Sequence, residues 1–398
     1  MYRPAYLRDF FMSRFHSYIT SAKTIIDSYK GGTPLTHHLK LFFQTDKKYG
    51  SRDRKSVSAI CYHYYRCANL FTEADSFEDK ITKATFLCES EDNELLNAVA
   101  PELNEFIAFN VADKLEYLNI SLNQLFKFDH ELSEMIDKKA YALSFFIQPN
   151  LFLRIRPKRK AIVLESLKKS NIDFTIIEED TLQLDNGTSV ENCLKINKDV
   201  VIQDMNSQRV FDFFKKERDA DKLETLWDCC AASGGKSILL FDLCQGKIKI
   251  TVSDIRENIL TNLQLRFKDA GINIQKKFVQ DLSKKSGLLL DDKFSIIVCD
   301  APCSGSGTWS RTPEQYFSFE NEQLDLFAEQ QKNILINTIP HLAKDSWFIY
   351  ITCSVFKSEN EDMVDFIQNN FACQLLEMKY LKGYEKKSDT LFVAFFKN

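Results

Sequence analysis

Several features that mark other classes of protein are missing from this 398-residue sequence. No apolar run approaches the roughly 18–20 residues that a membrane-spanning helix needs. Residues 1–15 mix charged with apolar side chains, unlike the apolar segment of a signal peptide. We therefore expect a cytoplasmic protein with no membrane partner.

Patterns typical of metal sites are also missing. The eleven cysteines include no CxxC pair, and the six histidines show no ligand spacing. The odd cysteine count and the lack of an export signal favour reduced thiols over a disulfide framework. The sequence therefore predicts no metal centre.

Length and composition are those of an ordinary globular protein with two or three domains, since 44% of the residues are hydrophobic and 27% are charged. The net charge of −4 weighs mildly against a nucleic-acid partner, although local fields matter more than the total. Between Leu151 and Ser170, seven basic residues face one acid. Taken alone, such a stretch is usually a solvated helix face.

The hydrophobic pattern divides the chain into three segments. In residues 1–140, apolar side chains recur every three to four positions, which predicts a helical domain. Residues 141–200 place the helical AIVLESLKKS between the β segments LFLRIRP and FTIIEED, which indicates a small α/β module. In residues 201–398, apolar strands alternate with helices, which predicts a mostly parallel sheet covered by helices on both faces.

Acidic residues end four predicted strands of this third segment: Asp228, Asp254, Asp281 and Asp300. A fifth strand, WFIYIT, leads into Cys353. Ligands of open α/β sheets bind outside the carboxyl ends of the strands. The sequence therefore gathers acids and a thiol where a site is expected.

The loop DCCAASGGKS follows the first of these strands and opens a helix. Its small residues let the backbone approach a ligand, and the helix N-terminus offers free N–H groups. Its tail matches a Walker A loop, but Cys230 stands where that loop needs a glycine. The GxGxxG pattern of nicotinamide sites is missing too. Neither a nucleotide triphosphatase nor a dehydrogenase is therefore favoured.

The acids at the strand ends fit an adenosyl ligand better than a nucleoside triphosphate or a nicotinamide cofactor. Asp254 is placed to accept hydrogen bonds from both ribose hydroxyls, and Asp281 could accept one from an adenine amino group. Each acid alone is more often a strand terminator or a helix cap. Together, in register with the small-residue loop, they favour adenosyl binding.

Two cysteines stand in loops just past strand ends, Cys303 in DAPCSGSG and Cys353 in TCS. Methyl transfer to C5 of a cytosine needs a thiolate that adds to C6, a group that assists product release and a hydrogen-bond partner at N3. The two cysteines with Asp300 supply that set, and Lys236 with its helix N-terminus could lower the pKa of a nearby thiol. The residues alone do not say which cysteine attacks.

These motifs, AASGGKS, DAPCSGSGT and YITCS followed by Glu359-Asn360-Glu361, resemble those of the RsmB-like, Sun-type RNA (cytosine-5)-methyltransferases. The resemblance covers residues 201–398 and extends more weakly to the module before them. Residues 1–140 resemble the NusB-like helical domain of some members. The fold that it implies is a Rossmann-like class I methyltransferase domain that uses S-adenosylmethionine.

The resemblance implies that Cys353 is the nucleophile and that Cys303 assists release, with Asp300 and Lys236 completing the catalytic set. It implies RNA as substrate, most naturally small-subunit ribosomal RNA with transfer RNA as runner-up, and a monomer. The basic stretch then becomes a candidate for binding RNA phosphates through Arg154, Arg156, Lys158 and Arg159. The donor site that it implies is lined by Cys230, Ala231, Ala232, Ser233, Gly234, Gly235, Lys236, Asp254, Asp281 and Asp300.

Three alternatives stay open. DNA cytosine methyltransferases use the cysteine of the PC motif, an idle relative could serve as an RNA-binding assembly factor, and small-molecule or protein methyltransferases share the fold. The sequence also departs from the family pattern. Ser233 replaces the usual proline, residues 343–346 replace a glycine pair, and Arg156 stands where asparagine is common. None of these changes removes a group that the chemistry needs.

Overall fold

The computed structural model describes residues 5–46, 48–128, 130–220, 222–284, 290 and 292–398, with side chains from residue 13 onward. The chain folds into two units. One unit comprises Met1–His130, Asp137–Gln148 and Trp309–Glu320, and the other comprises Glu131–Ile136, Pro149–Thr308 and Asn321–Asn398. Within the described residues, every helix is too short or too polar to cross a membrane.

Helices occupy much of both units. In chain order they are α1 (Ala5–Ser28), α2 (Leu35–Thr45), α3 (Ser51–Cys67), α4 (Phe77–Cys88), α5 (Glu94–Val99), α6 (Pro101–Asn104), α7 (Val111–Tyr117), α8 (Lys138–Ser144), α9 (Lys160–Lys169), α10 (Met205–Arg209), α11 (Asp212–Glu217), α12 (Gly235–Leu243), α13 (Glu257–Ala270), α14 (Pro313–Phe317), α15 (Glu322–Thr338) and α16 (Glu361–Asn370). Short 3-10 turns occupy Ala68–Leu70, Leu122–Gln124, Ser306–Thr308, Ile339–His341, Lys357–Glu359 and Gly383–Glu385.

The strands form two sheets. They are β1 (Leu151–Ile155), β2 (Thr175–Glu178), β3 (Thr181–Leu184), β4 (Val200–Ile202), β5 (Glu224–Asp228), β6 (Ile248–Asp254), β7 (Ile274–Val279), β8 (Phe294–Asp300), β9 (Leu342–Thr352), β10 (Gln374–Leu381) and β11 (Leu391–Lys397).

The first unit is helical, as its apolar periodicity predicts. Phe15, Tyr18, Ala22 and Ile25 of α1 are all buried in one apolar core with α2 to α5. Ser76 starts α4 with a reciprocal capping box, in which its hydroxyl accepts from the Asp79 N–H and the Asp79 carboxylate accepts from the Ser76 N–H. The likeness of this unit to a NusB domain stays a prediction.

In the second unit, residues 151–202 form a small antiparallel sheet in the order β2-β3-β1-β4. Helix α9 packs on this sheet because Val163 and Leu167 lie one turn apart on its buried face. Residues 309–320, which the sequence pattern groups with the third segment, belong instead to the helical unit. The division at residues 140 and 200 stays a prediction.

The large sheet of the second unit has seven strands in the order β10-β11-β9-β8-β5-β6-β7. Strands β5 to β9 pair in parallel, and β11 pairs antiparallel with β9 and β10. This confirms the predicted mostly parallel sheet. From β5 the chain builds outward through β6 to β7. It then crosses back to form β8 on the other side of β5, so the strand order reverses beside β5. A ligand crevice is expected at that point.

Candidate active site

The carboxyl ends of β5, β6 and β8 border one cavity of about 370 Å³. Its lining includes Asp254, Asp281 and Asp300, together with both motif cysteines, Cys303 and Cys353. Asp254 and Asp300 are the last residues of their strands, as predicted, whereas Asp281 lies two residues past the end of β7. The parallel sheet thus brings together side chains that are far apart in the sequence.

The small-residue loop between β5 and α12 is held against this cavity. The Ala232 N–H donates to Asp254 Oδ2 at 3.0 Å, which ties the loop to the end of β6. Gly234 has a φ of 77°, and a Cβ there would lie 2.5 Å from Phe267 Cε1. Only glycine fits, because the backbone is left-handed and α13 packs directly behind it.

The Asp254 carboxylate is fixed and ionised. Its two oxygens accept hydrogen bonds from Arg256 and from the loop. Burial acts to raise the pKa of Asp254, but these hydrogen bonds outweigh it and hold the pKa below its ordinary value. A hydrogen bond from Ser283 lowers the pKa of Asp281, and a hydrogen bond from Lys284 lowers it further by a smaller amount. Both acids are therefore acceptors at neutral pH.

Cys303 and Cys353 meet, with their sulfur atoms 3.4 Å apart. The contact with Cys353, together with burial, raises the pKa of Cys303 well above its ordinary value, so Cys303 is a thiol at rest. Beside them, Lys236 Nζ lies 2.6 Å from Asp300 Oδ2. Burial acts to lower the pKa of Lys236, but the negative charge of Asp300 and the hydrogen bond to it raise it above its ordinary value. The thiol pair thus has a fixed cation and a carboxylate as neighbours.

A second cavity of about 310 Å³ shares Asp300, Cys353 and Ala232 with the first. The predicted cofactor loop is divided between the two cavities. Cys230 lines only the first, whereas Ala231, Ser233, Gly235 and Lys236 line only the second, and Gly234 lines neither.

Two of the arginines predicted to bind RNA are buried, so their charged groups do not face the solvent. The Arg154 and Arg156 side chains are only 7% and 8% exposed, and both form ion pairs with Asp242 of α12. They join the small sheet to the large one, because a buried guanidinium needs a partner. Lys158 is exposed, and Arg159 is half-buried, with its Nε 3.7 Å from Asp199. The prediction is corrected for the two buried residues.

Sequence reasoning missed two groups. Glu359 is fully buried and links the two cysteine loops, and its only signal in the sequence was the Glu-Asn-Glu run after YITCS. Cys229, Cys230 and Cys299 place their sulfurs within 4.8 Å of one another, without any CxxC spacing. Hydrogen bonds from Cys229 and Cys230 lower the pKa of Cys299 to about 6. Pairing of β5 with β8 creates this cluster, so no local pattern could reveal it.

The large sheet and its helices have the fold of class I methyltransferases. Solved structures share that fold: that of PH0851 matches over 100% of both chains with a TM-score of 0.67 and 16% identity. NSun6 from Pyrococcus horikoshii matches with a TM-score of 0.55 and 15% identity, over 65% of this chain and 93% of that chain. At such identities the likeness shows the fold alone.

The family follows from the sequence. Residues 218–393 match the family model of the 16S rRNA methyltransferase RsmB/F, which confirms the resemblance drawn from the motifs. A probable ribosomal RNA small subunit methyltransferase B of Bacillus subtilis is 28% identical over 229 residues, which are 56% of this chain and 50% of that protein. The chain thus spans about half the length of the curated relatives it matches.

Proposed function

We propose that this chain methylates C5 of cytosine in RNA with S-adenosylmethionine as the donor. The observation that carries the proposal is the contact between Cys303 and Cys353, at the point where two cavities meet. The first cavity takes the donor, and the second takes the target base. Cys353 and Asp300 reach both cavities, as a residue that works between donor and acceptor must.

The donor cavity fits an adenosyl group. Asp254 is positioned to accept hydrogen bonds from the ribose hydroxyls, and Asp281 to accept one from the adenine amino group. Ile255, Leu282 and Ile334 supply apolar lining for a flat base. When bound, S-adenosylmethionine supplies an electrophilic methyl group.

The protein groups then activate the base. The Cys353 thiolate forms a bond to C6, which turns the pyrimidine into an enamine and makes C5 nucleophilic. Asp300 and Lys236 hold N3 and the charge that develops on the ring. After C5 has taken the methyl group, a general base takes the C5 proton and the electrons of that bond form the C5–C6 double bond. The sulfur–C6 bond breaks at the same time, and its electron pair returns to Cys353 as thiolate. Cys303 assists this release.

Small-subunit ribosomal RNA is the proposed substrate, supported by the names of the relatives and by the match of residues 218–393 to the RsmB/F family. Lys158, which is exposed, and Arg159, which is half-buried beside Asp199, bind its phosphates from the small module. The target cytosine leaves its stack to reach Cys353. The protein acts as a monomer in the cytoplasm.

Methyl transfer from labelled S-adenosylmethionine to separated RNA pools tests the proposal. We expect label in small-subunit ribosomal RNA as 5-methylcytosine, and mapping of that base in cells with and without the protein gives the position. Label in transfer RNA alone would show that transfer RNA, and not small-subunit ribosomal RNA, is the substrate. RNA binding with no label in any pool would make the chain an idle assembly factor and contradict the proposal.

A further inference from the structure

We infer that Glu359 is a positioning residue, whose buried carboxylate clamps the two cysteine loops together and so holds Cys303 and Cys353 at reacting distance. This inference rests on the proposed function, because it concerns the same pair of thiols. Glu359 lies in the turn before α16, and its hydrogen bonds within the described part of the chain go to groups other than the two sulfurs. Its effect on the chemistry is therefore exerted through the loops.

The first loop, which follows β8 and carries Cys303, is bound to Glu359 at two points. The Ser304 N–H donates to Oε1 at 2.8 Å, and the Ser304 hydroxyl donates to Oε2 at 2.5 Å. Ser304 is the residue directly after Cys303. The carboxylate thus fixes both the backbone and the side chain of the position next to the thiol.

The second loop, which follows β9 and carries Cys353, is bound to the same oxygen. The Ser354 hydroxyl donates to Glu359 Oε2 at 2.5 Å, and Ser354 directly follows Cys353. The arrangement is symmetric, since each cysteine is followed by a serine and both hydroxyls end on one carboxylate oxygen. One carboxylate oxygen therefore joins the two loops at the residues next to the cysteines.

Direct contacts between the loops fit this geometry. The Gly307 N–H donates to the Cys353 carbonyl at 2.8 Å, and the Val355 N–H donates to Ser306 Oγ at 2.9 Å. A Cβ on Gly307 would lie only 2.0 Å from the Thr390 carbonyl oxygen. The loops are packed so closely that a small change in their separation disturbs several hydrogen bonds at once.

Two further buried side chains, those of Tyr350 and Gln331, hold Glu359 in place. The Tyr350 hydroxyl lies 2.8 Å from the Glu359 carbonyl oxygen and 3.0 Å from Gln331 Oε1, and its single proton is shared between these two acceptors. Gln331 Nε2 in turn donates to the Pro302 carbonyl at 2.9 Å and lies 3.4 Å from Glu359 Oε1. The Tyr350, Gln331 and Glu359 side chains are buried, and a side chain locked in this way can position its neighbours accurately.

Only a carboxylate satisfies this set of neighbours. In the described residues the donors to Glu359 are neutral, three from the two serines and a weaker one from Gln331, so an acceptor with several lone pairs is required. Burial raises the pKa of Glu359 itself, and the hydrogen bonds from Ser304 and Ser354 oppose that shift. When ionised, Glu359 also contributes, after the contact with Cys353 and burial, to the raised pKa of Cys303. The clamp thus helps to keep Cys303 a thiol while it fixes the distance.

The test compares Glu359→Ala and Glu359→Gln with Glu361→Gln. Glu361 is a matched control because it lies two residues further on and accepts hydrogen bonds from Ser133 and Tyr380 rather than from the cysteine loops. For Glu359→Ala we expect kcat to fall by on the order of 10²-fold, the cost of misplacing reacting groups by about 1 Å. The KM for S-adenosylmethionine should stay within a few-fold, and Glu359→Gln should recover part of the loss because its amide keeps the shape and one acceptor.

A second readout needs neither RNA nor methyl donor. Diamide, a two-electron oxidant, joins two adjacent thiols as a disulfide while it is reduced to a hydrazine, and mass spectrometry follows the Cys303–Cys353 product. We expect closure to be slower in Glu359→Ala than in the wild type and unchanged in Glu361→Gln. This rate reports the separation of the loops even if no RNA proves to be a substrate.

Two results would overturn the clamp. One is a Glu359→Ala protein with wild-type kcat and wild-type disulfide closure. The other is a parallel loss of kcat, donor affinity and thermal stability that Glu359→Gln does not relieve, because that pattern belongs to a residue that only supports folding. A wild-type protein that methylates no RNA, with disulfide closure still slower in Glu359→Ala than in the wild type, would refute the proposed function and leave the clamp supported.

Discussion

The catalytic edge of the sheet and the basic stretch of residues 151–170 offer an instructive contrast. Both were predicted from residue type and position. At the edge, Asp254, Asp300 and Cys353 converge on a shared pair of cavities. In the basic stretch, Arg154 and Arg156 turn inward to Asp242, and Lys158 is left in solvent.

The difference lies in what each prediction used. Parallel strands force their carboxyl ends to one edge, so a residue placed at a strand end has known neighbours. A run of charge along the sequence carries no such constraint. Arg154 in β1 and Arg156, directly after β1, have the period-two spacing of one strand face, and both reach Asp242 of α12. Topology is therefore a better guide to a site than charge density.

Loss of Cys353 should have the largest effect. In Cys353→Ala we expect methyl transfer to fall to the detection limit, because loss of a covalent nucleophile costs on the order of 10⁶-fold in other enzymes. Labelled-methyl transfer measures this, with Cys193→Ala, a cysteine of the small module, as control. Near-normal activity in Cys353→Ala would show that the nucleophile has been misassigned.

The Cys303→Ala variant should accumulate a covalent protein–RNA adduct, since addition at C6 proceeds but release does not. A band that survives denaturant on a gel, and that is lost in the double variant with Cys353→Ala, is the expected result. Should Cys353→Ala trap RNA while Cys303→Ala does not, the two roles are reversed, as in the DNA enzymes.

The buried ion pairs predict a large loss of stability. Asp242→Ala leaves two buried guanidinium groups unpaired, which should lower the free energy of unfolding by about 3–5 kcal/mol. The control is Glu165→Ala, which removes an ion pair of similar length, 2.7 Å, whose side chains are mostly exposed. That change should leave the free energy of unfolding nearly unchanged, because an exposed ion pair contributes little to stability. Equal losses in denaturant titrations would mean that burial does not distinguish the two pairs.

The smallest effect is expected at the exposed end of the basic stretch. The double variant Lys158→Ala, Arg159→Ala should weaken RNA binding and reduce the salt slope of the binding constant by about 1.4, because each lost phosphate contact to a single strand contributes about 0.7. Lys215→Ala, Lys216→Ala removes the same charge from α11 and serves as control. Identical slopes in the two double variants would make residues 158 and 159 ordinary surface.

The sequence by itself determined the ends of β6 and β8, the small-residue loop and the position of both motif cysteines just past strand ends. These depend on local rules, since apolar runs predict strands and parallel strands share an edge. Strand β6 spans the predicted IKITVSD, and β8 spans FSIIVCD. The sequence also determined the helical character of residues 13–28, whose apolar stripe is buried as predicted.

Only the tertiary structure decided which groups meet across elements. Glu359 became a clamp because a turn after β9 brings it between two loops, and Cys299 joined Cys229 and Cys230 because β8 pairs with β5. The partner of Arg154 lies 88 positions away. Contacts of this kind depend on how elements pack, and neither periodicity nor spacing along one segment contains that information.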